Sequence, residues 1–263
     1  MTNWVFLRGL AREARHWGDF AARFQDAVNA TTTTCSITLQ DLPGNGAFNS
    51  QPSATSVGAM VEFARAQLAA ANIKPPHCLL AMSLGAMVAT QWATRFPQEV
   101  ARLVLINTSM RPYSTAAQRL RPANWPGLMA MALRWNNAHF AEQAIFNATC
   151  QRVATRDADQ AAWRQIRATA PVSRANLARQ LFAAARYRAP PVAALAPLCP
   201  VLILSAAGDA LVSPICSHHI ASAWQAEHRQ HDWAGHDLPH DDGQWVCQQV
   251  ASWMALRAMD APL

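Results

Sequence analysis

Three residues of this chain could together perform nucleophilic acyl transfer: Ser83, Asp209 and His236. A serine hydroxyl is nearly inert at neutral pH unless a base takes its proton, and the base needs a carboxylate to orient it. Ser83 lies in Ala81-Met82-Ser83-Leu84-Gly85, where an apolar run (HCLLA, from His77) ends and residues at helical spacing (Met87, Val88, Trp92, Phe96) begin. A serine at such a junction stands on a sharp turn at the carboxyl edge of a sheet, with a helix N-terminus behind it to favour a developing oxyanion. Read alone, the same serine is a helix N-cap, and Ala81 puts a methyl where strand, turn and helix backbones crowd together.

Asp209 follows the apolar run VLIL in SAAGDALVSP, and His236 sits in DWAGHDLPHDD. Each also has a plainer reading. Asp209 could cap a turn after Gly208. His231, His236 and His240, interleaved with Asp232, Asp237, Asp241 and Asp242, could be a metal cluster, although their spacing fits no compact zinc pattern. Asp241 and Asp242 read as first-turn residues of a final helix, favoured by its dipole.

The elements that must position these residues alternate. Strands are predicted at Trp4 to Leu7, Cys35 to Leu39, His77 to Ala81, Arg102 to Ile106, Val201 to Leu204 and Glu227 to Asp232. Helices are predicted from Trp17 to Val28, from a Ser53 cap to about Asn72, after Ser83, from Pro214 to about Trp224, and from Asp241 to Leu256. Strands separated by helices of this length imply a mostly parallel, doubly wound α/β sheet, here of six strands. The stretch from 111 to 189 breaks the pattern with helix-like segments only, and it reads as a helical lid inserted into a core made of residues 1–110 and 190–263. Such an insertion, leaving after the fourth strand, projects from the sheet edge where folds of this kind bind ligands.

Composition narrows the class. With 263 residues, 51% hydrophobic and 14% charged, the chain can bury a large core and is not disordered. No stretch approaches a membrane span, and the N-terminal apolar run is too short for a signal peptide, so a cytoplasmic location is expected. The six cysteines form no C-x-x-C pair and read as buried reduced thiols. The net charge of +6 is segregated: twelve arginines between Arg111 and Arg188 face only Glu142, Asp157 and Asp159. The segment thus carries an excess of nine positive charges. Its basic residues belong to no nucleic-acid-binding module, so nucleic acid is not the expected partner.

Taken in order, FLRGL, DLPGNG, AMSLG, LINTS, GDALVSP and AGHDLP resemble the motifs of α/β-hydrolase-fold serine hydrolases, and the resemblance covers nearly the whole chain. It is similar in layout to small carboxylesterases and to the esterases that cleave pimeloyl-acyl-carrier-protein methyl ester. The resemblance implies Ser83 as nucleophile, Asp209 as acid, His236 as base, and the backbone N–H groups of Leu10 and Leu84 as oxyanion donors. It implies hydrolysis of an ester or thioester through an acyl-enzyme, with no cofactor and no metal.

Two departures matter. The family usually has His-Gly after the first strand, whereas this chain has Arg8-Gly9. Arg8 could fix the oxyanion loop or, with Met82 beside the nucleophile, touch substrate. The arginine-rich lid is either a solvated helical surface or a docking face for an acidic carrier protein. A non-catalytic ligand-binding protein on the same fold is the competing class.

Overall fold

The computed structural model describes residues 2–30, 34–189 and 199–259. Six strands form one parallel sheet: β1 (Thr2–Leu7), β2 (Cys35–Gln40), β3 (His77–Met82), β4 (Val100–Ile106), β5 (Val201–Ala206) and β6 (Glu227–His231), in the order β2-β1-β3-β4-β5-β6. The order reverses at β1, so β1 and β3 lie side by side although β2 intervenes in sequence. Leu7 pairs with Ala81 at their carboxyl ends. The residues that follow each strand, Arg8 and Ser83, therefore emerge at one topological switch point, where open α/β sheets bind ligands.

Alternation along the strands feeds two cores. Val5, Leu7, Leu79, Ala81, Leu103, Leu105 and Ile203 point to one face, against α2 (Val57–Ala70), α3 (Leu84–Arg95) and α9 (Ile215–Trp224). Trp4, Phe6, Leu80, Met82, Val104, Ile106 and Leu204 point to the other, against α1 (Phe20–Asn29) and α10 (Leu238–Met259). Aromatic rings fill that second layer; Trp4 and Phe6 both meet Phe24 edge-on, at 4.9 and 5.0 Å between centroids.

Among the described residues between β4 and β5 the regular elements are mainly helices: α4 (Ala116–Arg119), α5 (Trp125–Leu133), α6 (Ala138–Thr149), α7 (Arg156–Thr169) and α8 (Arg174–Arg186). The expected return to the core at residue 190 lies outside the described residues. Buried polar contacts tie this segment to loops of the sheet edge. Arg12 reaches Glu142 of α6 at 2.7 Å, and Arg167 of α7 meets the same carboxylate at 2.6 Å. Burial opposes the charge of Glu142, but the two guanidinium groups outweigh it and hold the carboxyl below its ordinary range.

Three local expectations are corrected. Ser53 does not cap α2; Ser56 does, accepting from Ala59 N–H at 3.2 Å. Ser53 is instead buried, donating to the Pro43 carbonyl at 2.7 Å. The stretch from Trp17 to Val28 is not one helix, because a short 3-10 turn (Ala14–Trp17) ends at Gly18, whose φ of 54° breaks it before α1. The final helix begins at Leu238 and is broken at Asp242 (φ −147°, ψ 73°), whose side chain accepts from Trp245 N–H. Asp241 lies in the first turn of that helix, as expected, and its carboxylate also accepts from the N–H groups of Gln151, Arg152 and Gly235.

Candidate active site

Ser83 occupies the turn between β3 and α3 with φ 53° and ψ −118°, a conformation that costs a non-glycine residue on the order of 1–3 kcal/mol. The surroundings enforce it. Ser83 N–H donates to the Ile106 carbonyl at 3.0 Å, and Thr108 Oγ1 donates to the Ser83 carbonyl at 3.2 Å. The helix behind must pass very close to β1: a Cβ on Gly85 would lie 2.5 Å from the Leu7 carbonyl oxygen and 2.6 Å from that of Arg8. Only glycine fits there. Ala81 by contrast is accommodated, its methyl fully buried in the core beneath the turn.

The loop after β1 lies against the serine. A Cβ on Gly9 would stand 3.1 Å from Ser83 Cβ, so the loop backbone passes beside the serine's own side chain. Neither Leu10 N–H nor Leu84 N–H has an acceptor among the described residues. Both residues adjoin the serine turn, Leu84 in sequence and Leu10 through Gly9, and an N–H left free in such a place can serve a developing oxyanion.

Asp209 follows β5 and is 1% exposed. One carboxylate oxygen accepts from the N–H groups of Leu211 and Val212, both at 2.9 Å, and the other accepts from His236 Nδ1 at 2.7 Å. A carboxylate can only accept here, so the proton sits on Nδ1 and the Nε2 lone pair is left free to act as a base. Burial would depress the His236 pKa; the Asp209 carboxylate outweighs it and raises the imidazole above its ordinary value. Ser83 and His236 line the same cavity, and Ser83 Oγ makes no hydrogen bond among the described residues. A contact of this kind often tightens only around bound substrate.

A pH profile follows. A base must be neutral to work, so kcat/KM should rise with pH through a midpoint above about 6.5, the ordinary imidazole value. Replacing Asp209 by asparagine should move the midpoint down as well as slow the reaction, as stopped-time ester assays from pH 5 to 9 would show. The linked stability term has the opposite sense: protonated His236 favours the folded state fully below about 6.5, and this is lost as pH rises through the raised value.

Arg8 is 3% exposed and commits both terminal nitrogens to Asp237, at 3.0 and 2.5 Å. Its guanidinium also lies over Trp17, 4.7 Å from the ring centroid. Burial works against the Asp237 charge, yet Arg8 holds that carboxyl below its ordinary range. The pair bridges the loop that carries Leu10 and the loop that carries His236. The sequence marks Asp237 only as one member of a possible metal cluster, whereas here it pairs with Arg8, and it does not single out Asn107, which sits after β4 with φ 45°. Asn107 Nδ2 donates to the carbonyls of Gly235 and His236 at 3.1 and 2.8 Å, and its Oδ1 accepts from Ala206 N–H. An asparagine directly after a buried strand was the available signal, because it tolerates left-handed backbone. The other histidines of this region pair off with aspartates: His231 with Asp242 at 3.2 Å and His240 with Asp159 at 3.1 Å.

The cavity is walled mainly by apolar side chains. Leu10 and Met82 come from the sheet edge; Leu128 and Met131 from α5, Trp135 from the turn after it, Ile145 from α6 and Leu177 from α8.

A parallel doubly wound sheet with a serine on a strained strand-to-helix turn defines the α/β-hydrolase class. The sequence profile of the alpha/beta hydrolase family matches residues 4–249, and the chain belongs to that family. Over 116 residues it is 32% identical to the pimeloyl-[acyl-carrier protein] methyl ester esterase of Chromobacterium violaceum, a match covering 44% of this chain and 41% of that enzyme. The chain therefore spans about two-fifths of the length of the curated relative it matches. A thermophilic esterase from Thermogutta terrifontis superposes with a TM-score of 0.73 at 18% identity, over 97% of this chain and 89% of that one. The enol-lactonase of Burkholderia xenovorans superposes with a TM-score of 0.73 at 17% identity, over 96% and 91%. At these identities the structural likeness establishes the fold. No helix among the described residues is long and apolar enough to cross a membrane.

Proposed function

We propose that this hydrolase cleaves a carboxylic ester or thioester of small to medium acyl size through an acyl-enzyme on Ser83. The observation that carries the reading is the 2.7 Å contact from His236 Nδ1 to Asp209, which leaves Nε2 free in the cavity that Ser83 also lines. Ser83 Oγ attacks the carbonyl carbon while His236 Nε2 takes its proton. The oxyanion is held by Leu10 and Leu84 N–H groups, each of which is worth about 3 kcal/mol in such sites. The intermediate collapses as His236 returns the proton to the leaving alcohol or thiol. Water, deprotonated by the same imidazole, then releases the acid. Nothing in this cycle calls on a cofactor or a metal.

The segment from 111 to 189 acts as the lid of a core made by 1–110 and 190–263, and its helices supply the apolar walls. Charged groups bordering the cavity are already engaged: Arg8 with Asp237 and Arg12 with Glu142. The pocket therefore favours an uncharged, apolar acyl group. The buried free thiols suit a reducing cytoplasm.

A second reading is a carrier-protein-linked acyl methyl ester. It draws on the surface of the lid: Trp125, Met129 and Leu133 repeat every four residues on α5 and are 53%, 63% and 70% exposed. Among the twelve arginines of the segment, Arg167 alone pairs with a carboxylate among the described residues. An acidic carrier would find both apolar and cationic contacts there.

A fluorophosphonate probe should phosphonylate Ser83, identified by mass spectrometry of the labelled peptide. A folded wild-type protein that resists the probe and hydrolyses no ester would replace the catalytic reading with that of a ligand-binding protein. In the same assays, hydrolysis of an acyl-carrier ester should weaken steeply with added salt while a p-nitrophenyl ester is barely affected. Equal salt responses would leave the lid arginines as a solvated surface.

A further inference from the structure

Gln180 of α8 is fully buried, and its carboxamide makes three hydrogen bonds to the core. Oε1 accepts from Ala11 N–H at 2.8 Å, while Nε2 donates to Asn45 Oδ1 at 2.8 Å and to Ser53 Oγ at 2.9 Å. The donor inventory fixes this orientation: Ala11 N–H can only donate, and the Ser53 hydroxyl spends its own proton on Pro43. Asn45 in turn donates from Nδ2 to the Arg12 carbonyl at 3.0 Å. Ala11 has φ 54°, so the turn from Gly9 to Arg12 holds a conformation that an alanine does not favour by itself. Its internal bond, from Arg12 N–H to the Gly9 carbonyl, is long at 3.3 Å.

We infer that Gln180 is a positioning residue for the oxyanion site: from the helical insertion it fixes the turn that presents Leu10 N–H to the Ser83 adduct. The inference rests on the acyl-enzyme reading above. Its content is that the insertion builds the catalytic apparatus as well as walling the cavity. Moving α8 moves the acceptor for Ala11 N–H, and the adjoining Leu10 peptide turns with it. A donor displaced by about 1 Å loses much of its value to the transition state, on the order of a hundredfold in rate.

The test compares Gln180→Met, which has no acceptor at that position, with Asn176→Ala. Asn176 lies one turn away on the same helix, is buried, and binds Gln51 and Ser53 backbone rather than the Gly9–Arg12 turn. Gln180→Met should lower kcat about 10- to 100-fold with KM changed less than about threefold. Affinity for an alkyl boronic acid, which forms a tetrahedral anion on the serine, should fall by the same factor as kcat/KM. Asn176→Ala should keep kcat within about twofold despite a lower melting temperature. Should Gln180→Met not fold, Gln180→Asn, one methylene too short to reach Ala11, carries the same expectation. Equal kcat losses in the Gln180 and Asn176 variants, or unchanged boronate affinity in a Gln180 variant, would overturn the inference. Loss of the acyl-enzyme reading itself would show differently, as ester hydrolysis that survives Ser83→Ala.

Discussion

Ser83→Ala should lower kcat/KM by about 10⁴-fold or more while the protein stays folded. The residual rate would come from binding and from the Leu10 and Leu84 N–H groups, which the substitution leaves in place. A second comparison separates chemistry from backbone strain. At φ 53° and ψ −118° a Cβ is unfavourable whatever it carries, so alanine keeps the strain and glycine releases it. Ser83→Gly should be as inactive as Ser83→Ala yet more stable by on the order of 1 kcal/mol. Urea unfolding beside an ester assay measures both. An alanine variant that retains a tenth of the activity would remove Ser83 from the mechanism.

The largest stability effect is expected at Arg8 and Asp237. Truncating either one leaves the other charge buried without its partner, a loss of about 3–5 kcal/mol, which is a large part of what a domain usually has. Replacing both by leucine removes the stranded charge and should recover most of that stability. Activity should not recover with it, because the pair joins the loop before Leu10 to the loop of His236. The pH dependence has a definite sign. Asp237 is held below its ordinary pKa, so the ion pair's contribution is complete above about pH 4 and is lost as pH falls through the depressed value. Midpoints of urea unfolding at pH 7 and pH 3 for the wild type and the double variant would test this. Parallel shifts in the two proteins would show that the acid sensitivity arises elsewhere.

How much of this was legible in the sequence differs between sheet and loops. The apolar runs VLIL and HCLLA betrayed buried strands because a parallel strand is covered on both faces. Even the polar run EHRQH is a strand, as expected, since β6 lies at the sheet edge and pairs on one side only. Ser83, Asp209 and His236 could be placed at one end of the sheet because each lies within a few residues after a strand, where position in sequence nearly determines position in space. What joins them could not. Arg8 could be seen to be unusual, but its partner is 229 residues away, and nothing local to Asp237 distinguishes it from its acidic neighbours. Gln180 falls in the helix-like stretch from 111 to 189, and nothing in the sequence marks it out. A glutamine on a helix ordinarily faces water, and only the packing of α8 against the loops after β1 and β2 buries this one.

The separation between Arg8 and Asp237 has a further consequence, for the order in which the molecule becomes competent. Contacts between residues so distant form late, after the loop-closure entropy has been overcome, and chains rich in them fold slowly. The serine turn and its helix can form early from neighbouring strands, as a local unit. Arg8 and Asp237 can join the loop after the first strand to the His236 loop only once the last strand has docked. On the acyl-enzyme reading proposed above, a partly unfolded chain would carry Ser83 without a positioned His236, and ester hydrolysis should return on refolding only in step with closure of the Arg8–Asp237 pair.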